Sequence, residues 1–285
     1  MDKLCDLHTH STASDGSMTP SQLVELAKET GLAAIVLCDH NTVSGLPEFL
    51  EAADRIGVEA VPAVEFSTEY QEAELHIIAM FVEPAYYQII TERMDDFKYR
   101  KEKSNLDLVL ALQKAGIPLD YERIREGHSY VNRAHIGQEL TRLGYTESVQ
   151  EAFKTYLSPK RGYYIPPKRQ DALETIAFIR SMGAVAVLAH PFLELDEAQL
   201  RQFLPKAKAA GLDAIETMYS KFDAEQTACA KRLAEEFELL ESGGSDFHGT
   251  VKPDIFLGKG RGELKIPYHF LQKLRFCHEK KITKK

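Results

Sequence analysis

Short apolar runs alternate with helical patterns along the first part of the chain. "KLCDLH" reads as a strand, and "AAIVLCDH", "EAVPAVEF" and "ELHIIAMFV" follow as three more. Continuous apolar runs of this length, without a 3.6-residue period, fit strands buried on both faces. Between the first two strands, "TPSQLVELAKETG" places Thr19 as an N-cap, Pro20 at the first helical position and Gly31 just past the end. A second helix is predicted over roughly 45–57. The pattern returns with a helix near 170–182, strand "AVAVLAH", a helix near 196–210, strand "DAIETM", a helix near 223–237 and strand "FELLESGGSDFH". Strands alternating with helices predict an α/β fold with a parallel sheet, and this many units predict a (β/α) barrel.

Residues 85–167 break the alternation. "DDFKYRKEKSNLDLVLALQKAG", "RAHIGQELTRLG" and "SVQEAFKTYL" read as three helices ahead of the Pro-rich "YYIPPK". They predict a helical insertion, a cap of residues 85–167, between the barrel halves 1–84 and 168–285. The terminal "KKITKK" is expected to be a frayed, solvated tail.

Charge sharpens that division. The chain has 285 residues and a net charge of −8. Between residues 85 and 170 there are 15 Lys and Arg against 11 Asp and Glu, so the rest carries 20 against 32. A basic segment within an acidic chain suits a cap that meets an anion, whereas the overall sign argues against coating long nucleic acid. No apolar run is long enough to span a membrane, and the N-terminus lacks the pattern of a signal peptide. Cys5, Cys38, Cys229 and Cys277 form no CxxC pair and read as reduced thiols, so a cytoplasmic protein is expected.

The chemistry gathers at strand ends. The first strand closes on His8 and His10, with Asp15 after it; the second closes on Asp39-His40 and the third on Glu65. His76 lies in the next strand, His190 ends "AVAVLAH", and Asp246 and His248 close the last one. In a parallel barrel these C-terminal ends share one face. Residues i and i+2 of a strand point to the same side, so His8 with His10, or Asp246 with His248, can grip one cation or two neighbouring ones. Singly, each of these residues has a structural explanation: His76 as a core histidine, His190 as a strand end, Asp15 as a turn former before Gly16. Nine such side chains on one face are too many for one four-coordinate ion and suit two or three divalent cations bridged by Glu65. Mixed imidazole and carboxylate ligands suit Mn, Zn or Fe alike. Asp6 and Ser14 have no assignable role at this level.

The ordered motifs "DLHTHSTASDG", "LCDHNT", "VEFST", "ELHIIAMF", "LAHP" and "GSDFHG", running from residue 6 to 249, resemble the PHP (polymerase and histidinol phosphatase) family. More closely they resemble its stand-alone nucleotide phosphoesterase branch with a helical insertion. The resemblance implies a distorted seven-stranded (β/α) barrel with a trinuclear site. One metal would be held by His8, His10, Glu65 and Asp246; a second, sharing Glu65, by His76 and His190; a third by Asp15, His40 and His248. It implies hydrolysis of a phosphate ester by a metal-bridging hydroxide, with no phospho-enzyme. Glu65 and Asp246 then stand at the reacting centre, and His248 is a candidate to protonate the leaving group.

The insertion would choose the substrate. Arg133 and His135 in "VNRAHIGQEL" match an Arg-x-His-Ile stretch that faces substrate in similar proteins, and Arg suits bidentate phosphate recognition. Arg161 and Lys168 flank "GYYIPP" as further candidates, and Tyr163 or Tyr164 could stack on a base. The implied substrates are nucleoside 3′,5′-bisphosphates such as pAp, or the 5′ end of short RNA. Histidinol phosphate is the alternative within the family. An amidohydrolase would require a carboxylated Lys at a strand end, and none of these ends offers one. A non-catalytic scaffold would be missing ligands, and none is missing.

Overall fold

The computed structural model describes residues 3–126 and 131–283. β1 (Leu4–Thr9), α1 (Pro20–Glu29), β2 (Ala34–Leu37), α2 (Leu46–Ile56), β3 (Glu59–Tyr70) and β4 (Ala73–Met80) come first. Then follow α3 (Tyr87–Lys114), α4 (Tyr121–Arg125), α5 (Arg133–Arg142) and α6 (Val149–Ala152), the last continuing as a π turn over Phe153–Leu157. The alternation resumes with α7 (Ala172–Met182), β5 (Val185–Leu188), α8 (Glu197–Ala210), β6 (Ala214–Tyr219), α9 (Ala224–Glu236), β7 (Leu240–Gly244), β8 (Ile266–Pro267) and α10 (Tyr268–Thr283). Two compact units result: Met1–Thr91 with Gln170–Lys285, and Glu92–Arg169.

In the first unit, β1 to β7 pair with their neighbours in chain order. β7 comes back to β1: Asp246 N donates to His8 O, His10 N donates to Phe247 O, and Thr9 bridges Phe247. A seven-stranded barrel is therefore nearly closed, with the two-residue β8 antiparallel on the start of β1. Gly243 and Gly244 allow this seam. A Cβ on Gly244 would lie 2.3 Å from His8 Cβ and 2.5 Å from His8 N. β2 and β5, "AIVL" and "VAVL", are buried at every residue. They pack with Leu7, Ala63, Ile78 and Ala214 in the barrel core. Thr19 caps α1 through a capping box, as the motif predicts.

Three expectations need correction. The sheet is not all parallel, because β4 runs antiparallel to both β3 and β5. Tyr70 and Ala73 face each other across Gln71-Glu72, both with positive φ. A two-residue link can only make a hairpin, since a parallel crossover takes a dozen residues or more. The usual Asn-Gly signal is missing, which hid it. Among the described residues the insertion has four α-helices rather than three: α4 is a single short turn capped by the Asp120 carboxylate, too brief to show a period. The C-terminus is not frayed over 280–283. α10 continues through it, and Lys281 Nζ donates to Ala184 O and pairs with Asp213.

The second unit has its own core, in which Leu108, Leu112, Ile136, Leu140, Leu157 and Tyr164 are buried together. Among the described residues, no helix is long and apolar enough to cross a membrane.

Candidate metal centre

All nine candidate ligands lie in the barrel unit, at one mouth. β1 delivers His8 and His10 to the same side, where their Nε2 atoms meet at 3.0 Å. His40 follows β2 and bridges Glu65 of β3. Glu65 does not end its strand, because pairing with β4 keeps β3 extended to Tyr70. The reversal of β4 explains His76: it sits near the start of its strand, opposite Ser67, and so reaches the same mouth as the ends of the parallel strands. His190 and Asp246 follow β5 and β7 with left-handed backbone, φ 29° and 57°. Such conformations cost about 1–3 kcal/mol each outside glycine and persist only where the surroundings enforce them.

Glu65 is the hub. Its Oε1 lies 3.1 Å from His76 Nδ1, 3.1 Å from His190 Nε2 and 3.4 Å from His8 Nε2. Its Oε2 lies 3.0 Å from His40 Nδ1 and 3.4 Å from His10 Nε2. Asp246 Oδ1 approaches His10 Nε2 at 3.3 Å and His248 Nδ1 at 3.4 Å. Asp15, half-exposed on its loop, reaches His248 Nε2 at 3.3 Å and His40 Nε2 at 3.8 Å.

Electrostatics follow from this crowding. Burial would raise the Glu65 carboxyl, but His8, His76 and His40 hold it well below the usual carboxylate range. Asp246 is likewise lowered, burial being outweighed by the His10 hydrogen bond and the His8 charge. Burial drives His10 down to about 3, leaving a neutral imidazole ready to ligate. Burial also opposes charge on His76, but the Glu65 carboxylate overrides it and lifts this imidazole to about 10. Cys38, beside His8 and His10, is pushed well up by burial and stays a neutral thiol.

These residues fit divalent cations. Glu65 Oε2, His10 Nδ1 and His40 Nδ1 are buried without a hydrogen bond. Two imidazole Nε2 atoms in contact offer a shared lone-pair site better than a hydrogen bond. Four groupings place their ligand atoms within 4.8 Å of one another, among them His10, Asp15, His40 and His248; His8, Glu65 and His190; and His40, Glu65 and His76. Buried polar atoms are rarely left unpaired, and a cation satisfies all of these at once.

The PHP domain family matches residues 6–165. The chain belongs to the PHP family. A 5′-3′ exoribonuclease of Haemophilus influenzae is 33% identical over 250 residues, covering 87% of this chain and 91% of that one. A 3′,5′-nucleoside bisphosphate phosphatase of Chromobacterium violaceum is 26% identical, covering 85% and 86%. A solved structure from Bifidobacterium adolescentis, described as a metal-dependent phosphoesterase, superposes with a TM-score of 0.70 at 28% identity over 96% of both chains. This PHP protein is a metal-dependent phosphoesterase.

Around the candidate ligands of this PHP protein stand residues that sequence reasoning passed over. Glu216, fully buried in β6, accepts from His8 Nδ1 at 2.9 Å and from His190 N at 2.6 Å. The signal was there: a carboxylate within the apolar strand "DAIETM". Asp39 Oδ1 accepts from Ser11 N and Ser14 Oγ, and Oδ2 from Ser11 Oγ, which shapes the loop carrying Asp15 and gives Ser14 its role. Asp6 accepts from Ser245 N at 2.8 Å, Ser245 Oγ and Gly258 N, and locks the barrel seam. Tyr219 Oη and Lys252 Nζ both donate to Asp246 Oδ2, at 2.8 and 2.7 Å, leaving Oδ1 for the ligand cluster.

The four substrate candidates lie in the insertion unit. Arg133 and Arg161 line one depression. Arg133 stacks 4.3 Å above the Tyr164 ring and donates to Leu157 O, so Tyr164, buried, has no free face for a base on that side. His135 completes the α5 capping box, its Nδ1 accepting from Asn132 N at 3.4 Å. Lys168 is exposed outside that depression.

Proposed function

We propose that this phosphoesterase removes phosphate from small nucleotides, namely nucleoside 3′,5′-bisphosphates of the pAp type or the 5′ end of short RNA. The observation that carries the reading is Glu65, a buried carboxylate ringed by five imidazoles with one oxygen unbonded. Two or three divalent cations, of Mn, Zn or Fe, held by His8, His10, Asp15, His40, Glu65, His76, His190, Asp246 and His248, would lower the pKa of a coordinated water and neutralise the phosphoryl oxygens. The protein's own part is preorganisation. Glu216 and Glu65 fix the imidazole orientations, while Tyr219 and Lys252 fix Asp246. His248, with Nδ1 on the Asp246 carbonyl, presents Nε2 toward Asp15, where the pair would hold a cation. Arg133, with Arg161 and Lys168, supplies positive charge for a second phosphate, and His135, whose Nδ1 accepts from Asn132 N, offers it an Nε2–H. A small anionic substrate agrees with the net charge of −8, and a cytoplasmic setting agrees with four free cysteines.

The test is a phosphate-release screen over mononucleotides, pAp, histidinol phosphate and short 5′-phosphorylated RNA, with each metal supplied separately. Bisphosphates and RNA ends should lead, and Arg133→Ala should weaken bisphosphate use by tenfold or so, the value of one bidentate charged contact. Release favouring monophosphates, or an unaffected Arg133→Ala enzyme, contradicts the assignment.

A further inference from the structure

Residues 153–169 of the insertion unit, "FKTYLSPKRGYYIPPKR", contain five Lys and Arg, four aromatics and no acid. A solvated connector would account for the lysines but not for the surface they build. Lys154, Lys160 and Arg161 surround a depression of about 670 Å³ with Arg133, Phe153 and Ser158, and among the described residues no carboxylate lines it. That volume lies within the range of small-ligand sites.

The depression is constructed rather than incidental. Arg161 Nε donates to Lys154 O at 2.8 Å, which clips the turn over Pro159–Arg161 onto the start of the π turn. Arg133 is held between Leu157 O and the rings of Tyr164 and Phe153, at 4.3 and 5.3 Å. Among the described residues, Lys154 and Lys160 have no ion pair. Elsewhere in the same unit cations are neutralised: Arg123 and Arg142 both pair with Glu139. Four like charges around one concavity repel, so the arrangement favours an anion with several negative groups. Phe153, half-buried in the lining with Arg133 over one face of its ring, adds an aromatic edge against which a base can rest.

The geometry points to a binding surface for the backbone of a single-stranded oligonucleotide, in which Lys154 and Lys160 take two of its phosphates. The choice of a nucleic acid over other polyanions rests on the nucleotide reading above. It makes the insertion a reader of chain length, favouring short RNA over a free bisphosphate.

Binding is measured by fluorescence anisotropy on the full chain in excess chelator, so that no turnover intervenes. The probe is a labelled 5′-phosphorylated RNA of about eight nucleotides, within the usual span of single-strand surfaces. Affinity should rise from pAp through a dinucleotide to the longer RNA. Lys154→Ala/Lys160→Ala should lower the slope of log affinity against log salt by about 1.4, or 0.7 for each single-strand phosphate that is no longer neutralised. A control pair on the exposed face of α9, Lys231→Ala/Arg232→Ala, changes net charge equally and should keep the parent slope. Affinity independent of length, a parent slope in the Lys154/Lys160 variant, or an equal loss in the control overturns the assignment. Failure of the phosphoesterase reading is a separate result: the metal-loaded parent would release no phosphate, whatever the chelated protein binds.

Discussion

Glu216 stands behind the ligand cluster, and replacing it with Gln tests how the imidazoles are aimed. Its two oxygens both accept, Oε1 from His8 Nδ1 at 2.9 Å and Oε2 from His190 N at 2.6 Å. A hydrogen on His8 Nδ1 leaves the Nε2 lone pair facing His10 and Glu65. Glu216→Gln keeps the volume but has one acceptor and one donor. If its oxygen stays on His190 N, the amide NH2 meets His8 Nδ1 and drives the proton to Nε2, into the ligand cluster. If the oxygen turns to His8, two donors oppose each other at His190. Removing such a carboxylate partner from a ligating histidine typically costs 10–100-fold in metal affinity. That equals about 1.4–2.8 kcal/mol at 1.4 kcal/mol per tenfold. The buried donor left unsatisfied costs the metal-free fold about 1–3 kcal/mol more. Metal content after dialysis against a buffered metal series reads the first quantity, and denaturant unfolding in excess chelator reads the second. Metal affinity within threefold or so of the parent, together with unchanged metal-free stability, would refute the orienting role.

Other outcomes follow from the same geometry. His76 is held up to about 10 in the metal-free protein, against about 6.5 unfolded. Its stabilising contribution is therefore complete below pH ~6.5 and lost as pH rises toward 10, whereas metal binding, which must displace that proton, strengthens over the same window. Calorimetric metal titrations at several pH values check the sign, and a pH-independent affinity contradicts it. Gly244→Ala should cost about 3 kcal/mol, because the new Cβ meets His8 Cβ and backbone N, neither of which can swing away. Metal content should drop with it, and a stable, fully loaded variant would show that the seam tolerates a side chain. Tyr219→Phe removes one of two donors to Asp246 Oδ2 and should cost about 1 kcal/mol with a modest loss of metal affinity, since Lys252 remains. Lys252→Met should weaken metal binding more, as it withdraws the charge; equal effects would argue that Tyr219 carries the positioning.

What the sequence determined by itself was local and periodic. The capping of α1, the apolar runs of β2 and β5, and the HxH and DFH spacings each depend on residues within a few positions of one another. The order of motifs at successive strand ends was enough to gather His8, His10, Asp15, His40, His190, Asp246 and His248 onto one face, because a barrel leaves strand ends nowhere else to go, whereas His76 reaches that face only because β4 reverses. Tertiary structure decided what depends on distant pairs. The reversal of β4 turned on a Gln71-Glu72 link that carries no usual turn signal, although only seven residues separate "EAVPAVEF" from "ELHIIAMFV". The work of Glu216 on His8, 208 residues away, and of Asp6 on Ser245, 239 away, follows only from β6 and β7 closing on β1. A carboxylate in an apolar strand signals that a partner exists. Only the closed barrel says which one, because hydrogen bonds in a core are chosen by proximity in space, not along the chain.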